Sequence, residues 1–297
     1  MGYLFAFLSA LGFAVSNIIM KKGMKKNADD NGVFTTMTVN LIVLLFVTWI
    51  WRINQGPQAP SFSSKAILFF VIAGLLTTFI GRISLFASFR LIGPSRGAAI
   101  KNTAPLFTLV FALLILNEKL HVLPSIGIGI LFLGLSIQGF YMLGKRNNDD
   151  RNRNSTGYLL ALTAAAGFGL GQGIRKLGMI SMSDPFVGAL FGAITAVVSF
   201  SALLAYKGEL KETVYRNWKN VNGYYVLSGI LTSVAILSFF VALWYIQVAY
   251  VGVIAATEPL LTVLLSRLLL REDEVIHVNV VLSAMLVLIG ASFIVLD

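Results

Sequence analysis

Apolar runs of about 20 residues recur from one end of this 297-residue chain to the other. An α-helix needs a run of this length to cross the roughly 30 Å hydrocarbon core of a bilayer. The runs are continuously apolar instead of alternating, which excludes a membrane β-barrel. The ten predicted helices cover residues 2–20, 33–51, 66–90, 95–116, 122–143, 157–177, 185–206, 223–245, 249–270 and 276–296.

The composition agrees with a chain that faces lipid. Hydrophobic residues make up 57% of it and charged residues only 12%, against about 25% charged in a typical globular domain. The net charge of +10 is spread over many short loops, a pattern that suits anionic lipid headgroups and not nucleic acid. There is no cysteine, which excludes disulfides and thiol catalysis. We therefore expect an all-α integral membrane protein.

The chain contains an internal repeat. The segment GYLFAFLSALGFAVSNIIMKKGM from Gly2 matches GYLLALTAAAGFGLGQGIRKLGM from Gly157 at 11 of 23 positions without a gap. Further on, APLFTLVFALLILNE from Ala104 aligns with EPLLTVLLSRLLLRE from Glu258. The offsets of 155 and 154 residues indicate two copies of one five-helix unit, residues 1–143 and 157–297, joined by a basic polar linker, residues 144–156.

Five is an odd number, so the second copy enters the membrane from the opposite side. Inverted repeats of this kind are typical of secondary transporters, whose substrate site lies near the midplane between the two halves. The fold class expected is ten transmembrane helices arranged as two inverted five-helix repeats.

Each copy carries a proline inside its fourth helix and a glutamate at that helix's end: Pro105 and Glu118, then Pro259 and Glu272. This doubled pattern resembles the drug/metabolite transporter superfamily, and within it the EamA-type family. The resemblance covers essentially the full chain. It implies export or exchange of small metabolites, often amino acids or amines, without ATP, and the sequence has no GxxxxGK[ST] phosphate-binding motif.

Four charges stand out inside apolar runs: Arg82, Lys101, Glu258 and Arg267. A charge at the centre of a transmembrane helix costs about 2.5–3.5 kcal/mol, so each requires a partner or a wet cavity. Arg267 lies half a turn away from Glu258 on the helix wheel and near the helix end, which favours snorkelling to the interface. Arg82 either lines a cavity or caps its edge.

Lys101 and Ala255 occupy equivalent positions four residues before Pro105 and Pro259. Proline leaves the carbonyl of residue i−4 without its helical donor, and loosened backbone at membrane depth is tolerated where it lines a cavity. We expect Lys101 and Glu258 to face one central cavity and to form an ion pair there. A purely structural buried pair is the alternative.

Further candidates for the cavity are Asn102, Thr103 and Thr257, beside the two prolines, and the equivalent carboxamides Asn17 and Gln172. The carboxamides suit either substrate contact or hydrogen bonds between helices. Glycines 167, 169, 171 and 173 form two overlapping small-xxx-small patterns, which favour close helix packing.

Three classes of function were weighed. The sequence favours a secondary transporter of small polar metabolites, with proton coupling through Glu258 as the simplest mechanism. A flippase of a lipid-linked headgroup is the main alternative within transport. A membrane-embedded enzyme would need a nucleophile with a base, or a metal cluster, and the sequence, with no Cys and two His, offers no such set. A passive channel is the third class, but the inverted repeat favours alternating access.

No cofactor or metal is expected; the expected partners are a small-molecule substrate and membrane lipids, with the protein a monomer or homodimer in the plasma (inner) membrane. The sides of the membrane stay open. The Lys/Arg count puts both termini outside, whereas the resemblance implies cytoplasmic termini.

Overall fold

The structure of the protein is a computed structural model that describes residues 1–26, 32–56, 61–144, 155–219, 221–270 and 278–296. Each of the ten predicted spans is found there as helix, single or broken. In chain order the helices are α1 (Gly2–Lys26), α2 (Val33–Gln55), α3 (Ser64–Gly74), a π-helix (Leu75–Gly81), α4 (Arg82–Ile92), α5 (Pro94–Lys101), α6 (Ala104–Leu114), α7 (Val122–Gly144), α8 (Ser155–Ser181), α9 (Pro185–Tyr206), α10 (Leu210–Lys219), α11 (Gly223–Tyr245), α12 (Val248–Ala255), α13 (Glu258–Leu270) and α14 (Val278–Val295).

Eight helical segments in the described part of the chain are long and apolar enough to cross a membrane. Two shorter apolar segments, Val122–Ile137 in α7 and Met285–Val295 in α14, complete the ten. The all-α membrane fold predicted from the apolar runs is confirmed. Between the seventh and eighth spans, where the sequence analysis assigns no element, lies the short basic helix α10.

The repeats are inverted, because equivalent helices pack antiparallel. α7 and α14 end the two repeats, and a Cβ on Gly127 would meet the carbonyl of Gly290, whereas one on Gly134 would meet that of Ser283. Along this contact the residue numbers increase in α7 as they decrease in α14, so the two helices are antiparallel. The same holds for the second helices, α2 and α9, in which Thr48 Oγ1 donates to the carbonyl of Phe186 at 3.2 Å.

The first helix of each repeat crosses the third helical span of the other, at equivalent points. Gly2 in α1 packs against Ile246 at the end of α11, and its equivalent Gly157 in α8 packs against Ile92 at the end of α4. The two crossings are related by a pseudo-twofold axis between the repeats. The symmetry follows from the sequence, since all four positions correspond under the 155- and 154-residue offsets.

The glycine ladder of α8 lets that helix approach two neighbours at once. A Cβ on Gly167 or Gly171 would press into the π-helix region, which lies on one side of α8. On the other side, a Cβ on Gly169 would meet the carbonyl of Ala104 in α6, and one on Gly173 would meet an aromatic ring of the same helix. The two predicted small-xxx-small patterns are therefore two separate packing faces.

Candidate substrate cavity

A cavity of about 450 Å³ lies between the two repeats. This volume falls within the roughly 300–1,000 Å³ that small-molecule sites occupy. Both repeats contribute to its wall, from α1, α2, the π-helix and α4–α6 in the first, and from α8, α9 and α11–α13 in the second. Its polar lining consists of Ser16, Asn17, Thr36, Asn40, Thr77, Thr78, Arg82, Lys101, Asn102, Gln172, Arg175, Thr232 and Glu258.

Two broken helices pass the centre of the cavity. α5 ends at Lys101 and α6 begins at Ala104, and equivalently α12 ends at Ala255 and α13 begins at Glu258. The two turns have matching hydrogen bonds, from the N–H of Thr103 to the carbonyl of residue 100 at 2.9 Å and from that of Thr257 to the carbonyl of residue 254 at 3.0 Å. Transporters commonly place discontinuous helices at the substrate site.

The two prolines explain the breaks. Pro105 and Pro259 each stand at the second position of the helix that follows the turn, where a missing N–H disturbs no helical bond. Neither can donate to the carbonyl four residues earlier, so α5 and α12 cannot continue through them. The kinks predicted from sequence are thus complete interruptions, and both prolines line the cavity.

Glu258 and Lys101 both line the cavity but do not form the predicted ion pair. Glu258 Oε1 accepts a hydrogen bond of 2.7 Å from Asn17 Nδ2 instead. Lys101 Nζ lies 5.4 Å from the ring centroid of Phe168, in a cation–π arrangement. The expectation was wrong because each side chain finds its partner on the first helix of a repeat, α1 or α8, and not on the opposite broken helix.

The two carboxamides join the first helix of one repeat to the broken helix of the other. Asn17 connects α1 to α13 through Glu258. Gln172 connects α8 to α6, because its Oε1 accepts from Thr108 Oγ1 at 3.2 Å. Both also line the cavity, so the two roles considered for them, contact between helices and access to the site, coincide in one place.

Arg175 is a cavity residue that the sequence analysis missed. Its Nη2 donates to Thr77 Oγ1 at 3.2 Å, and its guanidinium lies 5.6 Å from the ring centroids of both Phe239 and Phe240. It was overlooked because it precedes Lys176 near the end of the predicted span, where a basic pair suggests an interface. The signal was present in the repeat, which aligns Arg175 with an apolar residue.

The remaining candidates fall into three groups. Arg82 and Asn102 line the cavity, and Arg82 directly follows the π-helix. Thr103 and Thr257 lie in the two turns but not in the cavity wall. The hydroxyl of Thr103 donates to the carbonyl of residue 100 at 2.7 Å, and Thr257 is buried. The side chain of Arg267 lies outside the described part of the structure.

Each charged residue of the cavity has an apolar equivalent in the other repeat, which also lines the cavity. The pairs are Arg82 with Ile236, Lys101 with Ala255, Arg175 with Met20, and Glu258 with Ala104. The cavity is therefore symmetric in its backbone frame and asymmetric in its charge. Among the described residues, no group of three His, Asp or Glu side chains forms a metal site.

Hydrogen bonds join the two repeats on one side of the membrane, beyond the cavity lining. We call the side where α1 begins and α14 ends the terminal side, and the side where α7 ends and α8 begins the linker side. On the terminal side, the carboxylate of Glu118 accepts from the N–H groups of Val248 and Ala249 at 2.9 and 3.1 Å. The segment that follows α6 is thus fixed to the beginning of α12.

Gln247 and Lys176 make further contacts beside the Glu118 carboxylate. Gln247 Nε2 donates to the carbonyl of Lys119 at 3.1 Å. Lys176 Nζ donates to the carbonyls of residues 243 and 246, at the end of α11, at 2.6 and 2.8 Å, and interacts electrostatically with Glu118. We call Glu118, Lys176, Gln247 and the N-terminus of α12 the terminal-side interlock. A carboxylate at a helix N-terminus is stabilised by the dipole.

Toward the linker side the cavity lining continues to the start of α2. Its lining reaches Val33, the first residue of α2, and Met20 in the second half of α1. Glu272, the equivalent of Glu118 in the second repeat, lies outside the described residues. In the described part, the interlock joins the two repeats on the terminal side, and the cavity lining reaches the start of α2 on the linker side.

Comparisons with known proteins agree with this architecture. The model of the EamA-like transporter family matches residues 1–139 and 155–296. No curated protein matches the chain in sequence. A solved structure described only as "Crystal structure of protein" has a similar fold, with a TM-score of 0.72 and 17% sequence identity over 99% of this chain and 96% of the other. Because the family model covers both halves, the chain belongs to the EamA-like transporter family of the drug/metabolite transporter superfamily.

Proposed function

We propose that the protein is a secondary transporter that moves a small polar metabolite through the central cavity by alternating access. The observation that carries this proposal is the pairing of an inverted repeat with a central cavity that both repeats line, beside two symmetric breaks in helices. An inverted repeat allows each half to adopt the conformation of the other, and the exchange opens the site to the opposite side.

The terminal-side interlock is the gate in this proposal. In the conformation described, the interlock fixes the segment that follows α6 to the start of α12 on the terminal side. Opening that side requires the carboxylate of Glu118 to leave the N-terminus of α12. On this proposal, substrate binding between the broken helices changes the relative energies of the two conformations, as any ligand must in order to shift such an equilibrium.

Glu258 is the group through which proton coupling would act. Its carboxylate is the acidic side chain among the described residues of the lining, and it stands at the start of the broken helix α13. A proton on Glu258 would remove one negative charge from the cavity and weaken the hydrogen bond from Asn17, since a charged acceptor binds more strongly than a neutral one. Exchange driven by protons is thus compatible with the site.

A second candidate function within transport is flipping of a lipid-linked headgroup. The specific observation in its favour is the presence of three cationic side chains in the lining, which would suit a phosphate. The cavity volume of about 450 Å³ favours a free small molecule, because both repeats surround the site.

The test is exchange by the purified protein in proteoliposomes. Vesicles loaded with an unlabelled solute are given the same solute in radiolabelled form, with amino acids, amines, dicarboxylates and phosphate monoesters in turn. A carrier working by alternating access shows faster uptake when the lumen holds the solute, whereas a channel shows no such acceleration. A lipid flippase would instead move labelled headgroup lipids between leaflets.

Variants of the cavity identify the path. Glu258→Gln keeps the size of the side chain, and we expect it to reduce exchange at least tenfold; Glu212→Gln, on the exposed face of α10, is the matched control. Proton coupling is measured as a pH change inside the vesicles during exchange. Wild-type exchange by folded Glu258→Gln protein, or uptake without acceleration by internal solute, would contradict the proposal.

A further inference from the structure

The charges of the cavity do not balance. Its described lining contains three cationic side chains, Arg82, Lys101 and Arg175, and one carboxylate, Glu258. The formal net charge of these four groups is +2. A charge within the membrane is costly unless a partner or water compensates it, and in a low dielectric the imbalance acts strongly on any ligand that enters.

None of the three cations forms an ion pair with a carboxylate among the described residues. Lys101 lies over the ring of Phe168 at 5.4 Å. Arg175 lies over two rings at 5.6 Å each and donates to the neutral hydroxyl of Thr77. Aromatic faces stabilise a cation without neutralising it. They hold the cations in the wall of the cavity and leave the positive charge available to a ligand.

The one carboxylate is already engaged. Glu258 Oε1 accepts from Asn17 at 2.7 Å, so the amide of α1 holds this group against the wall. The helix dipoles contribute little, because each break places a helix C-terminus next to a helix N-terminus, whose partial charges oppose each other. The sign of the site is therefore decided by the side chains.

The lining also contains buried polar atoms that have no hydrogen-bond partner among the described residues. Asn40 is 4% exposed and Thr36 is 8% exposed, and Asn40 Oδ1 and Thr36 Oγ1 make no hydrogen bond among the described residues. Both residues lie one helical turn apart on α2, in the cavity wall. Buried polar groups are normally hydrogen-bonded, so this stretch of wall is suited to a polar ligand.

We propose that the substrate is a small organic anion, with carboxylate or phosphate groups bound by Arg82, Lys101 and Arg175. This inference rests on the proposed transport function and gives the substrate class of the same cavity. The family resemblance implied small metabolites, often amino acids or amines; this proposal keeps the anionic ones among them and excludes amines. The apolar part of the ligand lies against the phenylalanines of the lining, and its hydrogen-bonding groups face Thr36 and Asn40.

The asymmetry of the repeats supports this assignment. The residues equivalent to the four charges are Ile236, Ala255, Met20 and Ala104, all apolar. Backbone and helix breaks are shared by both repeats and serve the conformational change, which needs symmetry. The charges are not shared, so they are not required by that change, and they serve the ligand.

The experiment measures binding in detergent, independently of transport. The probes are pairs that differ in charge. Glutamate with glutamine and succinate with succinamide also keep nearly the same shape, whereas glycerol is glycerol 3-phosphate without its phosphate group. Putrescine is the cationic probe. We expect at least one anion of these pairs to raise the unfolding temperature and to bind at least tenfold more tightly than its neutral partner, while putrescine has no effect. Glycerol 3-phosphate and lysophosphatidic acid micelles distinguish a free phosphate from a lipid headgroup.

Variants assign the binding to the cavity. Lys101→Gln and Arg175→Gln each remove one charge-assisted contact, and we expect each to weaken anion binding by about 10- to 100-fold. Lys65→Gln is the control, because Lys65 also lies over a phenylalanine ring, at 6.0 Å, but is exposed outside the cavity. Its binding should equal that of the wild type.

Three results would overturn the proposal: tighter binding of the neutral or cationic probes, no effect of any anion, or anion binding that Lys101→Gln and Arg175→Gln leave unchanged. These results are separable from the transport function. Exchange of a cation with no anion binding refutes the substrate class alone, whereas anion binding without exchange supports the substrate class and refutes the transport function.

Discussion

Loss of the Glu118 carboxylate should open the terminal side of the cavity. In the closed conformation both oxygens of this side chain accept backbone N–H groups at the start of α12. These N–H groups belong to Val248 and Ala249, which are 0% and 1% exposed, so water does not replace the lost partner in that conformation. Glu118→Ala therefore destabilises the closed state, whereas a state open on this side would leave the same groups in water.

The size of the effect follows from these two hydrogen bonds. A bond to a charged acceptor contributes about 1.5–3 kcal/mol, and capping contributions are typically about 0.5–2 kcal/mol. Allowing for relaxation of the helix end, we expect Glu118→Ala to favour the open state by about 2–4 kcal/mol. Each 1.4 kcal/mol changes the ratio of two states about tenfold, so the shift is roughly 30- to 1,000-fold.

Labelling of engineered cysteines measures this shift, because the natural chain contains no cysteine. Ala189→Cys places a thiol in the lining, one turn into α9 from the terminal side, and Thr36→Cys places one near the linker side. With Glu118→Ala added, a membrane-impermeant maleimide on the terminal side should react faster with the first thiol, and the second should react more slowly from the linker side. Glu212→Ala on the exposed face of α10 should change neither rate. Unchanged rates in folded Glu118→Ala protein, or faster labelling at both positions, would refute the gate.

Two predictions concern stability, measured as the unfolding temperature in detergent. Gly169→Ala should lower it by several degrees, because the added Cβ meets the carbonyl of Ala104 in a tightly packed crossing; Gly129→Ala, where no atom lies within 4 Å, should leave it unchanged or raise it. Equal melting of the two variants would contradict this packing. Asp184→Ala should lower the free energy of unfolding by about 3–5 kcal/mol, because it removes the carboxylate that lies 3.3 Å from the guanidinium of Arg52. A loss under about 1 kcal/mol would contradict a stabilising role for this ion pair.

The helices and their inversion could be predicted from sequence because both depend on local patterns. The length of an apolar run decides whether a helix can cross a bilayer, and a repeat with an odd number of such runs must invert. The same alignment explains why the contact of Gly2 with Ile246 is repeated by that of Gly157 with Ile92. The short helix α10 was missed because its charged residues also suit a solvated loop.

The partners of the cavity charges could not be predicted, because they depend on how each helix is rotated about its axis. Lys101 and Glu258 were expected to meet on pseudo-symmetric helices, but they contact Phe168 and Asn17 on two other helices. The role of Glu118 was likewise hidden, since its partner is a backbone terminus 130 residues further along the chain. Side-chain chemistry alone does not indicate a backbone partner.

Distances across the two ends of the cavity test alternating access most directly. Leu4 and Ile180 lie on the terminal side, and their equivalents Leu159 and Lys25 lie on the linker side, all four exposed. Pulsed electron paramagnetic resonance measures the distance between spin labels on each pair, in nanodiscs, with and without Glu118→Ala. Under alternating access, Glu118→Ala increases the Leu4–Ile180 distance and decreases the Lys25–Leu159 distance. Two distances that change together, or that both stay fixed, would contradict it.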